Sequence, residues 1–333
     1  MKICVYGAGA IGGLFSARLA AKGNEVSVVE VGPTLTAIQK HGIRLQSDDR
    51  LITARVHATS DPATLGPQDL VIIAVKGPVL SYIAPKLAPL LGPDTVVLTA
   101  MNGVPWWLFQ SFGGKYSGMR LESIDRTGII AAAIPAQRII GCVIILSCHS
   151  NEPGFVHLQS GNRLIIGEPD NSDSARVHAL ADLLAEAGFE VRVSASIQAD
   201  IWSKLLSNMT QNPISALTGA TCDRILSEPL LNELCLNVMR EAVRVGEKIG
   251  CAVPGTLEER NETSRKLGAF KTSMLQDLEA RKPVELDVIV GAVGEIARRV
   301  GEPTPFIDAL FGLARLQAQE LGLYPRDASG LTA

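Results

Sequence analysis

The chain has 333 residues, which at roughly 150 residues per domain anticipates about two domains. Apolar residues make up 47% and charged residues 20%, with a net charge of −3 and an isoelectric point near 6.0. This composition excludes a disordered chain, a fibrous repeat and the basic footprint of a nucleic-acid binder. No run reaches the roughly 18 consecutive apolar residues of a membrane span, and Met1-Lys2-Ile3-Cys4-Val5-Tyr6 turns glycine-rich too early for a secretory leader. A soluble cytoplasmic protein with no membrane or nucleic-acid partner is the expectation.

In chain order, residues 3–6 form a short apolar run that stops at glycine, residues 12–22 carry the Leu14, Ala17 and Leu19 of a packed helix, and residues 25–30 (EVSVVE) form a second strand-like run. Strand, helix and strand in under 30 residues is a βαβ unit, whose right-handed crossover makes the sheet parallel. Residues 70–75 (LVIIAV) and 95–99 (TVVLT) are nearly continuous apolar runs, as in strands buried on both faces. Further strands are expected at 138–147, 154–158, 163–166 and 190–193, with Gly161-Asn162 as the turn of a hairpin.

Beyond about Ala195 the pattern becomes helical, at 196–217, 229–250, 256–267, 284–300 and 305–321. In the fourth stretch Ile289, Val293, Ile296 and Val300 keep to one helical face, with Pro283 expected in the first turn and Gly301 past the end. The reading is therefore an α/β Rossmann-type N-terminal domain with a parallel sheet, residues 1–194, followed by an all-α C-terminal domain, residues 195–333.

Six cysteines at 4, 142, 148, 222, 235 and 251 form no CxxC pair, and most of them read as buried small hydrophobes. Five histidines at 41, 57, 149, 157 and 178 show no ligand spacing, so no metal is expected.

Gly7-Ala8-Gly9-Ala10-Ile11-Gly12 is a GxGxxG loop placed directly after a strand and opening a helix. In that context the first glycine serves the tight turn, the second lets main chain approach a pyrophosphate, and the third allows close helix–strand packing. The helix N-terminus then offers N–H groups and partial positive charge to the phosphates. Glu30 ends the second strand, where an acid takes the free ribose 2′-hydroxyl and repels a 2′-phosphate, and no arginine follows it in 31–39. Among NAD(P)H cofactors this favours NADH.

Lys204, Asn208 and Asn212 are spaced i, i+4, i+8 and share a helical face, about 6 Å apart per step. An ammonium and two carboxamides can bind the oxygens of a polar substrate, although a solvated helix face reads the same way. Asn102-Gly103 and Lys76 fall at the carboxyl ends of strands, where such sheets bind ligands, and also where turns and solvated residues occur. Ser273 and Glu285 are further candidates, Glu285 being expected in the first turn of a helix, where the dipole favours a carboxylate whatever its function.

Together these residues resemble the ketopantoate reductase (2-dehydropantoate 2-reductase) family. The resemblance runs through the glycine loop, Val75-Lys76, Asn102-Gly103, Trp202-Ser203-Lys204-Leu205, Asn208, Asn212-Pro213, Ser273-Met274-Leu275-Gln276-Asp277 and Glu285, nearly the whole chain. It implies a C-terminal half like the helical domain of 6-phosphogluconate dehydrogenase and reduction of a 2-oxo acid by hydride transfer from NAD(P)H. NADPH is the family expectation and a small-molecule 2-oxo acid the substrate; apart from the resemblance, the apolar faces of 284–300 and of the C-terminal helix fit either a homodimer or packing within one chain. By the same resemblance Lys204 is the general acid and Asn102 polarises the carbonyl. Ser273 binds the carboxylate, and Glu285, Asn208 and Asn212 hold the distal hydroxyl. Lys76 faces the cleft, orienting cofactor and substrate, and the helical domain closes over the nicotinamide.

Three departures stand out. Val31 occupies the place of the usual arginine for a 2′-phosphate, Cys222 replaces a substrate-side asparagine of some members, and residues 104–137 are longer than in compact members. That long segment, with Trp106 and Trp107, is expected either to form a flap or subunit contact near the cleft that alters the acid accepted, or to be a surface loop packing its tryptophans on the sheet. Two other functions compete: an NAD-dependent dehydrogenase of a different 2-hydroxy acid, and a non-catalytic dinucleotide sensor.

Overall fold

The computed structural model of the protein describes residues 1–48 and 50–326. Among these, ten strands form one sheet: β1 (Lys2–Tyr6), β2 (Glu25–Val29), β3 (Ile43–Ser47), β4 (Arg50–Ala54), β5 (His57–Thr59), β6 (Gln68–Ile73), β7 (Leu91–Thr99), β8 (Ile139–Glu152), β9 (Phe155–Gly167) and β10 (Glu190–Val193). Their order is β4-β3-β9-β8-β7-β6-β1-β2-β5, with β10 beside β9. The run β5-β2-β1-β6-β7-β8 is parallel throughout, and it is the order of a doubly wound dinucleotide-binding sheet. The antiparallel pairs β8–β9 and β3–β4 extend it.

Apolar runs fill the centre because both faces are covered. Ile3, Val5, Ile72 and Val28 are fully buried, and helix α1 (Ala10–Ala21) adds Leu14, Phe15 and Leu19 to the same core. Gly13 lets α1 lie against β9, since a Cβ there would fall 2.6 Å from Val156 Cγ2. The other helices of the first half are α2 (Gly32–His41) and α3 (Gly77–Ile83), then two short turns α4 (Glu122–Asp125) and α5 (Ile129–Ala133), and α6 (Ala175–Glu186).

The chain divides into two compact units, the first comprising Met1–Asn102, Trp107–Gly113 and Gly128–Ile197. The second begins at Gln198 and takes in Gly103–Trp106 and Gly114–Thr127. It is helical: α7 (Ile197–Thr218) leads into it, followed by α8 (Cys222–Ser227), α9 (Pro229–Ile249), α10 (Leu257–Lys266), α11 (Ser273–Glu279), α12 (Ala292–Val300) and α13 (Pro305–Glu320). The long segment 104–137 is thus shared. Trp107 is fully buried on the sheet, its Nε1–H donating to Thr99 Oγ1 at 3.3 Å, while Glu122 and Ser123 bind Glu295 of the helical unit.

Two local expectations need correction. Gly161-Asn162 is not a hairpin turn: β9 runs through it, and the turn is at Pro153-Gly154, with Gly154 at φ +69°. Gly161, at φ +75°, instead sits opposite Leu146 at a bulge, another use of a left-handed glycine. Asn162 is the extra residue, and its amide bridges Arg18 Nη1 and the Gly188 carbonyl. The helix expected over 284–300 opens with a π-turn at Asp287–Gly291 before α12, so Pro283 and Glu285 precede it. Both ends of the misread stretch bond elsewhere: Val284 N–H donates to Leu323 C=O at 3.3 Å, and Val288 C=O accepts from Val104 N–H at 2.7 Å.

Candidate active site

The glycine loop follows β1, Lys76 follows β6 and Asn102 follows β7, so three candidate groups lie past the carboxyl ends of adjacent parallel strands. The main chain holds these ends together: Ala74 N–H donates to Tyr6 C=O at 2.9 Å and Ala100 N–H to Ile73 C=O at 3.0 Å. With β2 on one side of β1 and β6 on the other, this is the switch point of the sheet, where open α/β sheets bind ligands.

Each loop glycine has a distinct steric reason. Gly7 is left-handed at φ +91° and faces Val75 Cγ1, 2.8 Å from where its Cβ would be; a Cβ on Gly12 would fall 1.8 Å from Gly7 O. Gly9 is different, because a Cβ there meets nothing within 4 Å. Nothing in the protein itself demands a glycine at position 9, whereas main chain that must meet a pyrophosphate does. Gly9 is also the N-cap of α1 and leaves the first-turn N–H groups without a side-chain cap, while Ala10 and Ile11 are half-exposed around it. The donor set and the bare surface fit a dinucleotide.

The Glu30 carboxylate is fixed beside this loop. Its Oε2 accepts from Ala8 N–H at 2.6 Å and its Oε1 from Val31 N–H at 2.9 Å, leaving further lone pairs for hydroxyl donors. Val31, in place of a cation, is 65% exposed. Lys76 is half-buried at the start of α3, and Asn102 is half-buried just before Gly103, whose φ of +81° and missing Cβ admit Val288 O.

In the helical unit, α7 carries the polar stripe. Lys204 and Asn208 are half-buried and Asn212 is 5% exposed, while Ile201, Leu205 and Met209 face the core. The side-chain amides of Asn208 and Asn212 make no hydrogen bond among the described residues. Sequence reasoning passed over Gln211 on the same helix, which is buried with its Nε2 unpaired. Leaving a buried polar group unpaired costs about 1–3 kcal/mol, so such a group calls for an explanation.

Beside this stripe, Arg260 of α10 donates to Ser203 O at 3.0 Å and to Ser203 Oγ at 3.1 Å, and burial lowers the pKa of its guanidinium. Ser273 is exposed as the first residue of α11, and Glu285 is buried ahead of the π-turn. Cys222 is fully buried, and burial pushes its thiol up to about 12, so it is an inert packing group. The same cause raises Cys4, Cys148, Cys235 and Cys251 to about 12. Among the described residues no group of three or more His, Cys, Asp or Glu could hold a metal ion, and no helix is long and apolar enough to cross a membrane.

A doubly wound sheet whose bare glycine loop opens a helix defines a dinucleotide-binding protein. Within that class the comparisons are specific. The description "Ketopantoate reductase PanE/ApbA" matches residues 3–111, and "Ketopantoate reductase PanE/ApbA C terminal" matches residues 196–318. A 2-dehydropantoate 2-reductase of Mesorhizobium japonicum is 42% identical over 325 residues, covering 97% of this chain and 100% of that protein. A Ralstonia solanacearum MolK2 crystal structure, classed with the ketopantoate reductases, is 50% identical with a TM-score of 0.94, covering 97% and 99% of the two chains. The D-mandelate dehydrogenase structure solved with NADH and anilino(oxo)acetate shares the fold at 22% identity, with a TM-score of 0.84 over 97% of this chain and 100% of that one. The chain belongs to the ketopantoate reductase family and is an oxidoreductase.

Proposed function

We propose that the protein reduces a 2-oxo acid, ketopantoate or a related branched acid, to the 2-hydroxy acid. The observation that carries this reading is the polar face of α7, where Lys204 is accompanied by the unpaired carboxamides of Asn208 and Asn212 in a chain of this family.

The dinucleotide, when bound on the Gly7–Gly12 loop, supplies the hydride. The Lys204 ammonium donates its proton to the substrate carbonyl oxygen as negative charge develops there, work suited to a half-buried lysine whose pKa its surroundings can tune. The Asn102 amide donates to the same oxygen and polarises it. Ser273 receives the carboxylate through its exposed hydroxyl. Glu285, Asn208 and Asn212 hold the distal hydroxyl, the two amides able both to donate and to accept. Lys76 orients cofactor and substrate.

The preferred cofactor in this reading is NADH. At ~4 Å and an effective dielectric of about 20, a carboxylate facing a unit of phosphate charge costs roughly 4 kcal/mol before screening, and Glu30 is held in place to impose it. That same carboxylate favours a second reading, oxidation of a different 2-hydroxy acid by NAD⁺. Steady-state rates for ketopantoate and a panel of 2-oxo acids, each with NADH and NADPH, test both. Ketopantoate is expected to lead the panel with NADH ahead. Turnover no better than that of unrelated acids would remove the first reading. Glu30→Gln is expected to narrow the NADH preference by at least about tenfold, and an unchanged ratio would remove Glu30 from that role.

A further inference from the structure

Glu285 stands in irregular main chain directly ahead of the π-turn at Asp287–Gly291, so no helical ladder fixes its backbone. It is 7% exposed, and a carboxylate so enclosed cannot swing freely to meet a ligand. Bonds from elsewhere in the helical unit hold the stretch on both sides of it. Val284 N–H donates to Leu323 O at 3.3 Å, the Tyr324 hydroxyl donates to Asp287 Oδ1 at 2.6 Å, and Val288 O accepts from Val104 N–H at 2.7 Å.

Two of these bonds come from the chain just past α13. That helix ends at Glu320, and the chain reverses at Gly322, left-handed at φ +71°. Gly322 N–H donates to Gln319 O at 3.0 Å and Leu323 N–H to Ala318 O at 2.8 Å, the paired bonds of a Schellman closure. The reversal lays Leu323 and Tyr324 on 284–287, and both are buried there. Gly291 makes room for the Asp287 carboxylate: a Cβ at that glycine would lie 3.3 Å from Asp287 Oδ1 and 3.1 Å from Phe311 Cε2.

Burial and the Asp287 charge raise the Tyr324 phenol above its ordinary value, so it remains a donor across the working pH range. A hydrogen bond to a carboxylate is short and directional, and it locates Asp287 more closely than packing does. Asp287 is two residues from Glu285, and planar peptides leave only φ and ψ to vary between them. Fixing the one therefore limits the other.

We infer that Tyr324, through Asp287, is a positioning residue for Glu285, the chain after α13 serving as a brace on the 284–288 stretch. The inference rests on the role given above to Glu285, and it places neither Tyr324 nor Asp287 in contact with substrate.

A double-mutant cycle with ketopantoate and NADH tests it. Tyr324→Phe deletes one oxygen and is expected to lower kcat/KM about tenfold, through KM more than kcat, with NADH affinity within about twofold of wild type. In the Glu285→Ala background the same change is expected to cost less than about twofold, because the group it positions is gone. A general weakening of the fold would cost the same in both backgrounds, and that result overturns the inference. An unaltered kcat/KM in Tyr324→Phe alone overturns it too, and either result leaves the reductase reading intact. A Glu285→Ala enzyme as active as wild type removes Glu285 from substrate binding, and the brace with it. A wild-type enzyme that reduces neither ketopantoate nor related 2-oxo acids overturns both readings. If Tyr324→Phe folds poorly, it is combined with Asp287→Leu, which removes both partners of the bond, and the same cycle decides.

Discussion

Two regions of the molecule prepare for ligands in opposite ways. At the carboxyl edge of the sheet the groups that shape the glycine loop are already satisfied: Gly7 N–H donates to Val29 O at 2.9 Å, Ala8 N–H to Glu30 at 2.6 Å and Gly13 N–H to Gly9 O at 2.8 Å. On α7, by contrast, the side-chain amides of Asn208, Gln211 and Asn212 make no hydrogen bond among the described residues. The first region is held by backbone and sterics, so its form does not depend on what binds. The second carries its specificity in side chains whose hydrogen-bonding capacity the fold leaves open, so their energetic value depends on the substrate.

The sharpest way to break this contrast is at Lys204. If α7 carries the chemistry, Lys204→Ala lowers kcat by about 10²- to 10⁴-fold, with a much smaller change in cofactor affinity. Steady-state kinetics and a separate dinucleotide titration measure the two effects. A near-normal kcat removes Lys204 as the proton donor and reduces the polar face to a solvated one.

A smaller effect, at the other region, separates shape from binding. Gly9→Ala places its Cβ in open space, so the variant is expected to melt within about a degree of wild type yet bind NADH at least about tenfold more weakly. Gly12→Ala, whose Cβ would fall 1.8 Å from Gly7 O, is expected to lose stability as well. Unaltered NADH affinity in Gly9→Ala would place the pyrophosphate elsewhere.

The contrast also explains what could be read in the sequence. The glycine loop was legible because its constraints lie within six consecutive residues and the strand before them. Helix α7, expected over 196–217 and observed at Ile197–Thr218, was legible from its periodicity. The family roles of Lys204, Asn208 and Asn212 came from resemblance, since a polar stripe looks alike whether water or substrate meets it. Gln211 was missed for that reason: its burial is set by tertiary packing and leaves no local trace. Gly161 misled because left-handed glycines serve bulges as well as turns, and the start of the 284–300 helix because Val284 and Val288 bond to distant residues.

A carboxylate within the helical unit sharpens the comparison from its other side. Glu295, 6% exposed, accepts from Glu122 N–H at 2.9 Å, from Ser123 N–H at 2.8 Å and from Ser123 Oγ–H at 2.7 Å, with Arg299 at 3.0 Å. Like Glu30 it is a carboxylate satisfied by backbone, and it holds the segment Gly114–Thr127 to α12. Burial pushes its pKa up, but the bonds from Ser123 and Glu122 and the charge of Arg299 outweigh this and hold it below the ordinary glutamate value. A group depressed in the folded state stabilises above its unfolded pKa, about 4.3, and loses that contribution as the pH falls through the folded value. Glu295→Gln puts an amide donor against N–H donors and is expected to cost about 2 kcal/mol at neutral pH, a fall in melting temperature of roughly 4 °C. The gap between variant and wild type should close as the pH drops below the ordinary glutamate range, because the native carboxylate is then protonated too. A gap that persists undiminished in acid would mean that shape, and not the charge on Glu295, holds the segment to its helix.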